Sequence, residues 1–282
     1  MPAFNLKPGT DNYCLAGNPV SHSKSPLIHA AFAKQTGQNL FFQIICVERN
    51  GFHAFLNDFR DRGGKGLNIT LPFKEEAWQL SDQLTPRAEH ARAVNTIMMD
   101  EQGSFIGDNT DGAGLVNDLE HNHGITINRA KVLIMGAGGA ARGIIEPLLS
   151  RKPERMVIAN RTVGKAQELA SSFSSEGIIS ACGYPDLSGQ SFDLVINATS
   201  ASLEGEVPAI PDGILATDAC CYDLMYLDRD TAFVSWARQK SATKCLDGTG
   251  MLVEQAAESF YFWRGVRPDT GPVIELLRQG KI

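Results

Sequence analysis

No run of apolar residues in this 282-residue chain approaches the roughly 20 needed to span a bilayer. The stretch from Met1 to Tyr13 has no basic segment followed by an apolar core. Neither a membrane anchor nor a secretory leader is therefore expected, and the reading is a cytoplasmic protein with no membrane partner. Basic charge is also in deficit: 26 Lys and Arg face 32 Asp and Glu, a net charge of -6 with a pI near 5.5. With no basic stripe and no interleaved aromatics, nucleic acid is not an expected partner. The six cysteines, Cys14, Cys46, Cys182, Cys220, Cys221 and Cys245, form no C-x-x-C pair, which excludes a zinc knuckle or a disulfide framework and leaves them as small core residues. The acidic loop at Asp108 fails as a calcium loop, because Thr110, Gly112 and Leu119 stand where oxygen ligands are required. No metal is expected.

What remains is a soluble composition, 43% hydrophobic, in a chain long enough for two domains. The strongest local signal runs from Lys131 to Arg142. The unalternating Val132-Leu133-Ile134-Met135 predicts a strand buried on both faces, and Gly136-Ala137-Gly138-Gly139-Ala140-Ala141 opens a helix carrying Ile144, Ile145 and Leu148. Strand, glycine turn and helix in that order suit a pyrophosphate, met by unpaired N–H groups and the positive end of the helix dipole. Gly136 and Gly138 take the first two glycine positions of the dinucleotide fingerprint, and Ala141 the third.

The next strand, Arg155 to Thr162, ends in Asn160-Arg161-Thr162, with Lys165 three residues on. A ribose 2′-hydroxyl would be met there by a carboxylate; a guanidinium, a hydroxyl and an ammonium instead suit a 2′-phosphate. The cofactor expected is NADP. Another buried strand, Phe192 to Ser200, carries Asn197, Thr199 and Ser200 at its carboxyl end, where they could flank a nicotinamide.

Earlier in the chain, Tyr13 to Gly17 predicts a strand and Leu27 to Thr36 a helix, with Ser25 at the N-cap and Pro26 at the first helical position. Ser21, Ser23 and Ser25 make this either a solvated loop or a site for a ligand carboxylate. Phe41 to Val47 predicts a strand, and Phe52, Phe55, Leu56 and Phe59 the core stripe of a helix. Gly66 to Leu71 predicts an alternating strand, stopped by Pro72 before a helix, with Thr70 and Lys74 at the junction; on spacing alone Lys74 reads as a surface charge. Ala93 to Met98 and Ser104 to Gly107 predict a hairpin around Asp100-Glu101-Gln102-Gly103. Asp108-Asn109-Thr110-Asp111-Gly112 then enters a helix that Thr110 or Asp111 caps, and His121-Asn122-His123 is an exposed loop. Asp247-Gly248-Thr249-Gly250-Met251 turns into a long helix in which pattern alone puts Gln255 on the surface.

Taken in order, Gly17-Asn18-Pro19, Ser21 to Pro26, Asn68 to Lys74, Ala93 to Thr96, Gly107 to Gly112, Gly136 to Ala140, Asn160 to Thr162, Asn197 to Ser200 and Gly250 to Leu252 resemble the shikimate dehydrogenase family over nearly the whole chain. That resemblance implies NADPH-dependent reversible reduction of 3-dehydroshikimate to shikimate. It implies an α/β fold of two domains: a substrate domain over residues 1–110 completed by 252–282, and a Rossmann-type, doubly wound NADP domain over 111–251. It places a catalytic pair on Lys74 and Asp111, and carboxylate-holding hydroxyls on Ser23 and Ser25. Thr70, Asn95, Tyr222 and Gln255 would line the substrate ring. Gly136, Ala137, Gly138, Gly139, Ala140, Asn160, Arg161, Thr162, Lys165, Thr199, Gly248 and Met251 would serve NADP. The family often carries arginine where Lys165 stands, so a point charge replaces a bidentate fork. The partner implied is the small substrate alone, in a monomer or homodimer. Two rivals are a quinate/shikimate dehydrogenase of relaxed cofactor choice, against which Asn160 speaks, and a non-catalytic NADP sensor, which would lack the Lys74 and Asp111 pair.

Overall fold

The computed structural model describes residues 4–173 and 178–280. It divides into two compact units, Met1–Gly114 with Val253–Ile282, and Leu115–Leu252. Among the described residues no helix is long and apolar enough to cross a membrane.

The first unit holds a six-stranded mixed sheet in the order β2-β1-β3-β5-β6-β4. Its strands are β1 (Asp11–Gly17), β2 (Leu40–Cys46), β3 (Gly66–Ile69), β4 (Gln83–Leu84), β5 (Thr96–Met99) and β6 (Phe105–Asp108). β1 pairs in parallel with β2 and β3, and the β5–β6 hairpin adds antiparallel to β3. Around it lie α1 (Ser25–Thr36), α2 (Phe52–Asp61), α3 (Lys74–Leu80) and α4 (Pro86–Ala91). The phenylalanine stripe of α2 is core as its spacing predicts: Phe52, Phe55, Leu56 and Phe59 are all fully buried, and Phe52 stacks on Phe73 at 4.8 Å.

Two local readings are corrected here. Ser25 is the first residue of α1 rather than its cap; Lys24 occupies the N-cap without a side-chain bond, which leaves the Ser25 hydroxyl available for other partners. β3 does not alternate between core and solvent, since all four of its residues are buried. It lies inside the sheet between β1 and β5, so Asn68 is carried into the interior and must find partners there. The short β4 and α4 had no periodic signal strong enough to announce them.

The second unit is a six-stranded sheet in the order β12-β11-β10-β7-β8-β9, parallel throughout. Its strands are β7 (Lys131–Met135), β8 (Arg155–Ala159), β9 (Ile179–Cys182), β10 (Phe192–Asn197), β11 (Leu215–Asp223) and β12 (Lys244–Leu246). α5 (Asp111–Asn117) leads into this unit, α6 (Gly139–Leu149), α7 (Val163–Ser171) and α8 (Ala232–Gln239) belong to it, and α9 (Thr249–Arg264) leads out, followed by α10 (Gly271–Arg278). This is the order of a doubly wound nucleotide-binding sheet, with the winding direction reversing between β7 and β10. Continuous apolar strands are required because helices cover both faces.

His121 to His123 is not a plain loop. A π-helical turn, Asp118–Asn122, continues α5, and His123 is partly buried beside it. Asp118 is wholly buried and accepts the Tyr222 hydroxyl at 2.6 Å and the Asn122 amide at 2.9 Å. Gly250 lies directly on that carboxylate: a Cβ there would come within 1.9 Å of the Asp118 oxygen. Gly250→Ala is expected to destabilise the second unit by about 1–3 kcal/mol through overpacking, read as a lowered midpoint in denaturant. An unchanged midpoint would mean that Asp118 moves aside freely.

Cys14, Cys220 and Cys221 are buried as expected, while Cys46 is exposed and Cys182 and Cys245 lie part-way. Burial pushes the Cys220 thiol up to about 12. Among the described residues, no group of three or more His, Cys, Asp or Glu is placed to hold a metal ion.

Candidate active site

In the first unit the strand ends and helix starts bring one polar cluster together. Lys74, the first residue of α3, puts its Nζ 2.5 Å from Asp111 Oδ2, and the two side chains are 22% and 12% exposed. An ammonium that spacing alone assigns to the surface is thus held against a carboxylate at the edge of the interior.

The other oxygen of Asp111 accepts the Asn95 side-chain amide at 2.7 Å. Asn95 is nearly fully buried just before β5, and its Oδ1 accepts the Thr110 backbone N–H at 2.9 Å. A backbone N–H only donates, so that bond settles which end of the Asn95 amide is oxygen and leaves Nδ2 to face the carboxylate. Asn95 Nδ2 also reaches Thr110 Oγ1 at 2.9 Å and Gln255 Oε1 at 3.4 Å. Gln255 is only half-buried in α9 and turns toward this cluster rather than lying on an open surface. Thr70, half-buried after β3, stands four residues before Lys74.

Ser23 and Ser25 form a hydroxyl pair at the start of α1. The Ser23 hydroxyl donates to Ser25 Oγ at 3.1 Å and accepts the Ser25 N–H at 3.2 Å. Ser25 is buried and Ser23 half-buried.

Behind Asp111 lies an ion cluster that the sequence did not announce. Asp108, at the end of β6, is fully buried and accepts two bonds from the Arg87 guanidinium, at 2.7 and 2.5 Å. It also accepts the Thr85 hydroxyl at 2.6 Å and the Asn109 N–H at 2.8 Å. Arg87 reaches Glu258 of α9 at 3.4 Å, and Arg267 reaches the other Glu258 oxygen at 2.7 Å. The acidic residue that fails as a calcium ligand is therefore the anchor of a bidentate fork. The signal was the short polar run Thr85-Pro86-Arg87, which has no periodicity to single it out.

In the second unit the glycine turn sits at the switch point of the sheet. Gly136 has φ +107°, and a Cβ there would meet the Ala198 carbonyl at 3.0 Å, so only glycine passes between the ends of β7 and β10. Ala137 is half-buried, while Gly138, Gly139 and Ala140 are exposed at the start of α6, presenting N–H groups that the helix itself does not bond. Asn160 follows β8 and donates to the Thr162 carbonyl at 2.9 Å; Arg161, Thr162 and Lys165 are exposed around it. Thr199 follows β10, its hydroxyl donating to Asn197 Oδ1 at 2.7 Å. The Gly248 N–H donates to the Met225 carbonyl at 3.0 Å, and the Met251 N–H to the Tyr222 hydroxyl at 3.2 Å. Backbone donors at the helix start and exposed cations at the end of β8 fit a dinucleotide bearing a 2′-phosphate.

Tyr222 does not fit the role the resemblance implies for it. The ring is fully buried in the core of the second unit, its hydroxyl is taken up by Asp118, and burial beside that carboxylate pushes its ionisation well above the usual tyrosine range. Tyr222 braces the π-helical turn and cannot line a ligand. The partly accessible tyrosine beyond β11 is Tyr226.

Comparison with known proteins agrees along the chain. Residues 15–97 match the family model described as the shikimate dehydrogenase substrate binding domain, 118–204 that of shikimate / quinate 5-dehydrogenase, and 248–278 that of the shikimate 5'-dehydrogenase C-terminal domain. The shikimate dehydrogenase (NADP(+)) of Hahella chejuensis is 52% identical over 270 residues, 96% of this chain and 99% of that protein. Its counterpart from Alkalilimnicola ehrlichii is 54% identical over 269 residues, 95% of this chain and 99% of that one. Among solved structures, an Ael1 enzyme from Pseudomonas putida superposes with a TM-score of 0.89 at 44% identity, covering 95% of this chain and 98% of its own. The shikimate 5-dehydrogenase of Thermus thermophilus, solved with NADP(H) and shikimate, gives 0.85 at 30% identity, covering 96% and 99%.

Proposed function

The chain belongs to the shikimate dehydrogenase family, and from that premise we propose how its residues divide the NADP-dependent interconversion of shikimate and 3-dehydroshikimate. The observation that carries the reading is the Lys74–Asp111 pair, a half-buried ammonium and carboxylate 2.5 Å apart. Bound NADP supplies or accepts the hydride. As a carbonyl carbon receives it, negative charge develops on the oxygen, where a fixed ammonium stabilises the charge and yields a proton. Lys74 fills that role in the reduction and takes the proton back in the oxidation. Asp111 orients the ammonium and accepts the neighbouring ring hydroxyl.

Ser23 and Ser25 hold the substrate carboxylate with neutral hydroxyls, while Thr70, Asn95 and Gln255 fix the ring. The residues of the second unit divide NADP between them. The N–H groups of Gly138–Ala140 take the pyrophosphate at the head of α6. Arg161, Thr162 and Lys165 take the 2′-phosphate, with Asn160 shaping the turn between them. Thr199, Gly248 and Met251 serve the nicotinamide side. The protein works in the cytoplasm on small molecules alone, as a monomer or homodimer. Sedimentation separates those two states.

The deciding experiment supplies the purified protein with shikimate and NADP and follows formation of the reduced nicotinamide, in parallel with quinate and with NAD. Shikimate with NADP is expected to turn over at least about tenfold faster than the other pairings, the discrimination that unpaired polar groups in a site impose. Comparable rates with quinate or NAD would favour a relaxed quinate/shikimate enzyme, and NADPH binding without turnover would favour a sensor. Arg161→Ala with Lys165→Ala is expected to raise the KM for NADP by about tenfold or more, the loss of charge-assisted bonds to a phosphate, and to leave that for NAD unchanged. Equal effects on both cofactors would remove these side chains from the 2′-phosphate.

A further inference from the structure

Asn95 is itself held from behind by residues to which the catalytic reading gives no part. Its Oδ1 lies 2.9 Å from the Thr96 hydroxyl, and Thr96 Oγ1 lies 3.1 Å from the Asn68 amide nitrogen. Asn68 Nδ2 also faces the Asn95 carbonyl at 3.4 Å and Ser259 Oγ at 2.9 Å. A carbonyl only accepts, so this end of Asn68 is the amino group and its Oδ1 points the other way. There it meets His29 Nε2 at 3.1 Å, and the histidine must donate. His29 is fully buried, stacked on Phe42 at 4.2 Å and flanked by Phe32, Phe260 and Trp263. Desolvation holds its ionisation down at about 3, against a small opposing effect of the Asn68 bond, so the ring is neutral at any working pH. Its Nδ1 finds no hydrogen-bond partner among the described residues.

We infer that His29, Asn68 and Thr96 form a one-way chain of donated hydrogen bonds that ends, through Asn95, on the Asp111 carboxylate and holds it oriented toward Lys74. Every step points the same way: the His29 N–H to Asn68 Oδ1, the Asn68 amide to Thr96 Oγ1, the Thr96 hydroxyl to Asn95 Oδ1, and the Asn95 amide to Asp111 Oδ1. Bonds aligned in this sense polarise one another in a low-dielectric interior, which strengthens the last of them, the Asn95 amide on Asp111 Oδ1. Ser259 braces the chain, 2.7 Å from Thr96 and one helical turn beyond Gln255, so α9 is pinned to the same hydroxyls. His29, Asn68 and Thr96 touch neither substrate nor cofactor in the proposed reading; they are positioning residues. The charged groups around the carboxylate are Lys74 from α3 and, behind it, Asp108 in β6 with Arg87 from α4 and Glu258 from α9. The rings around His29 carry no charge.

This inference rests on Asp111 acting in the proposed reaction. The test therefore pairs the separate kcat and KM of shikimate oxidation with nitrogen NMR of the His29 ring. Thr96→Val keeps the side-chain volume and removes the hydroxyl; Thr96→Ser keeps the hydroxyl. The valine variant is expected to lose about tenfold in kcat with little change in KM, because orientation in the transition state is what fails. The serine variant is expected to match the wild type. His29→Phe, which keeps the stacking, is expected to lower kcat by less, again with little change in KM, and stands in if the valine variant does not fold. The NMR spectrum is expected to show the Nε2–H tautomer. A kcat that stays put in both variants, or a ring protonated at Nδ1, would overturn the chain. Wild-type protein without turnover would instead overturn the proposed reaction, and the ring tautomer would then still decide the direction of the donors.

Discussion

Lys74→Met is expected to lower kcat for shikimate oxidation by about a thousandfold or more and to change the KM for shikimate by much less. Two effects disappear together. A positioned acid or base contributes about 10²–10⁴ in rate, and a preorganised charge beside a developing oxyanion adds a further electrostatic gain. Methionine keeps the unbranched stem, so the first turn of α3 and the packing of Ala77 beneath it remain. What is lost is the ammonium 2.5 Å from Asp111 Oδ2. Arginine is not expected to rescue the enzyme, because a guanidinium does not release its proton near neutral pH and its planar fork does not fit where a point charge sits. Asp111 would then lose its counter-charge but keep the Asn95 amide at 2.7 Å, so the carboxylate stays in place and substrate binding survives. Steady-state kinetics of the purified variant, with its folding checked by circular dichroism, decide the matter. A kcat within about tenfold of the wild type would leave general acid–base catalysis to another group and sink the assignment of Lys74.

The elements legible in the sequence were those with a strong period or strong punctuation. The unbroken apolar run of Val132 to Met135 and the glycines after it gave strand, turn and helix because a parallel strand covered on both faces admits little else. The phenylalanine spacing of Phe52, Phe55 and Phe59 announced a core helix for the same kind of reason. The strand from Gly66 was misread as alternating because alternation presumes one wet face, and β3 has none. Ser25 was misplaced by a single residue, within the ordinary play of helix ends. Tyr222 and Tyr226 illustrate a different limit: the residues stand four apart around one strand end, and only burial separates the one that braces Asp118 from the one that is partly accessible. The charges behind the site were opaque for a physical reason. A fork such as Arg87 on Asp108 is a contact across 21 residues, and nothing in local spacing encodes it.

That fork carries the other large expectation. Arg87→Met is expected to destabilise the first unit by about 3–5 kcal/mol, because it leaves the fully buried Asp108 carboxylate without its counter-charge. The Thr85 hydroxyl and the Asn109 N–H still reach Asp108, but two neutral donors do not replace a bidentate guanidinium. Glu258 loses one cation and keeps Arg267 at 2.7 Å, so most of the damage falls on Asp108. The double variant Arg87→Met with Asp108→Asn removes the stranded charge and is expected to recover about half of the loss, since a neutral amide costs far less to bury than an unpaired carboxylate. Denaturant unfolding of the single and double variants measures both steps. Asp108 precedes Asp111 by three residues at the end of β6, and Arg87 also ties that strand end to α9, one turn from Gln255. The folded fraction of the single variant is therefore expected to lose kcat as well, since small displacements of a catalytic carboxylate are costly. A double variant no more stable than the single one would mean that the penalty comes from lost packing around the Arg87 stem. A single variant with unchanged kcat per folded molecule would mean that β6 holds Asp111 in place without the fork.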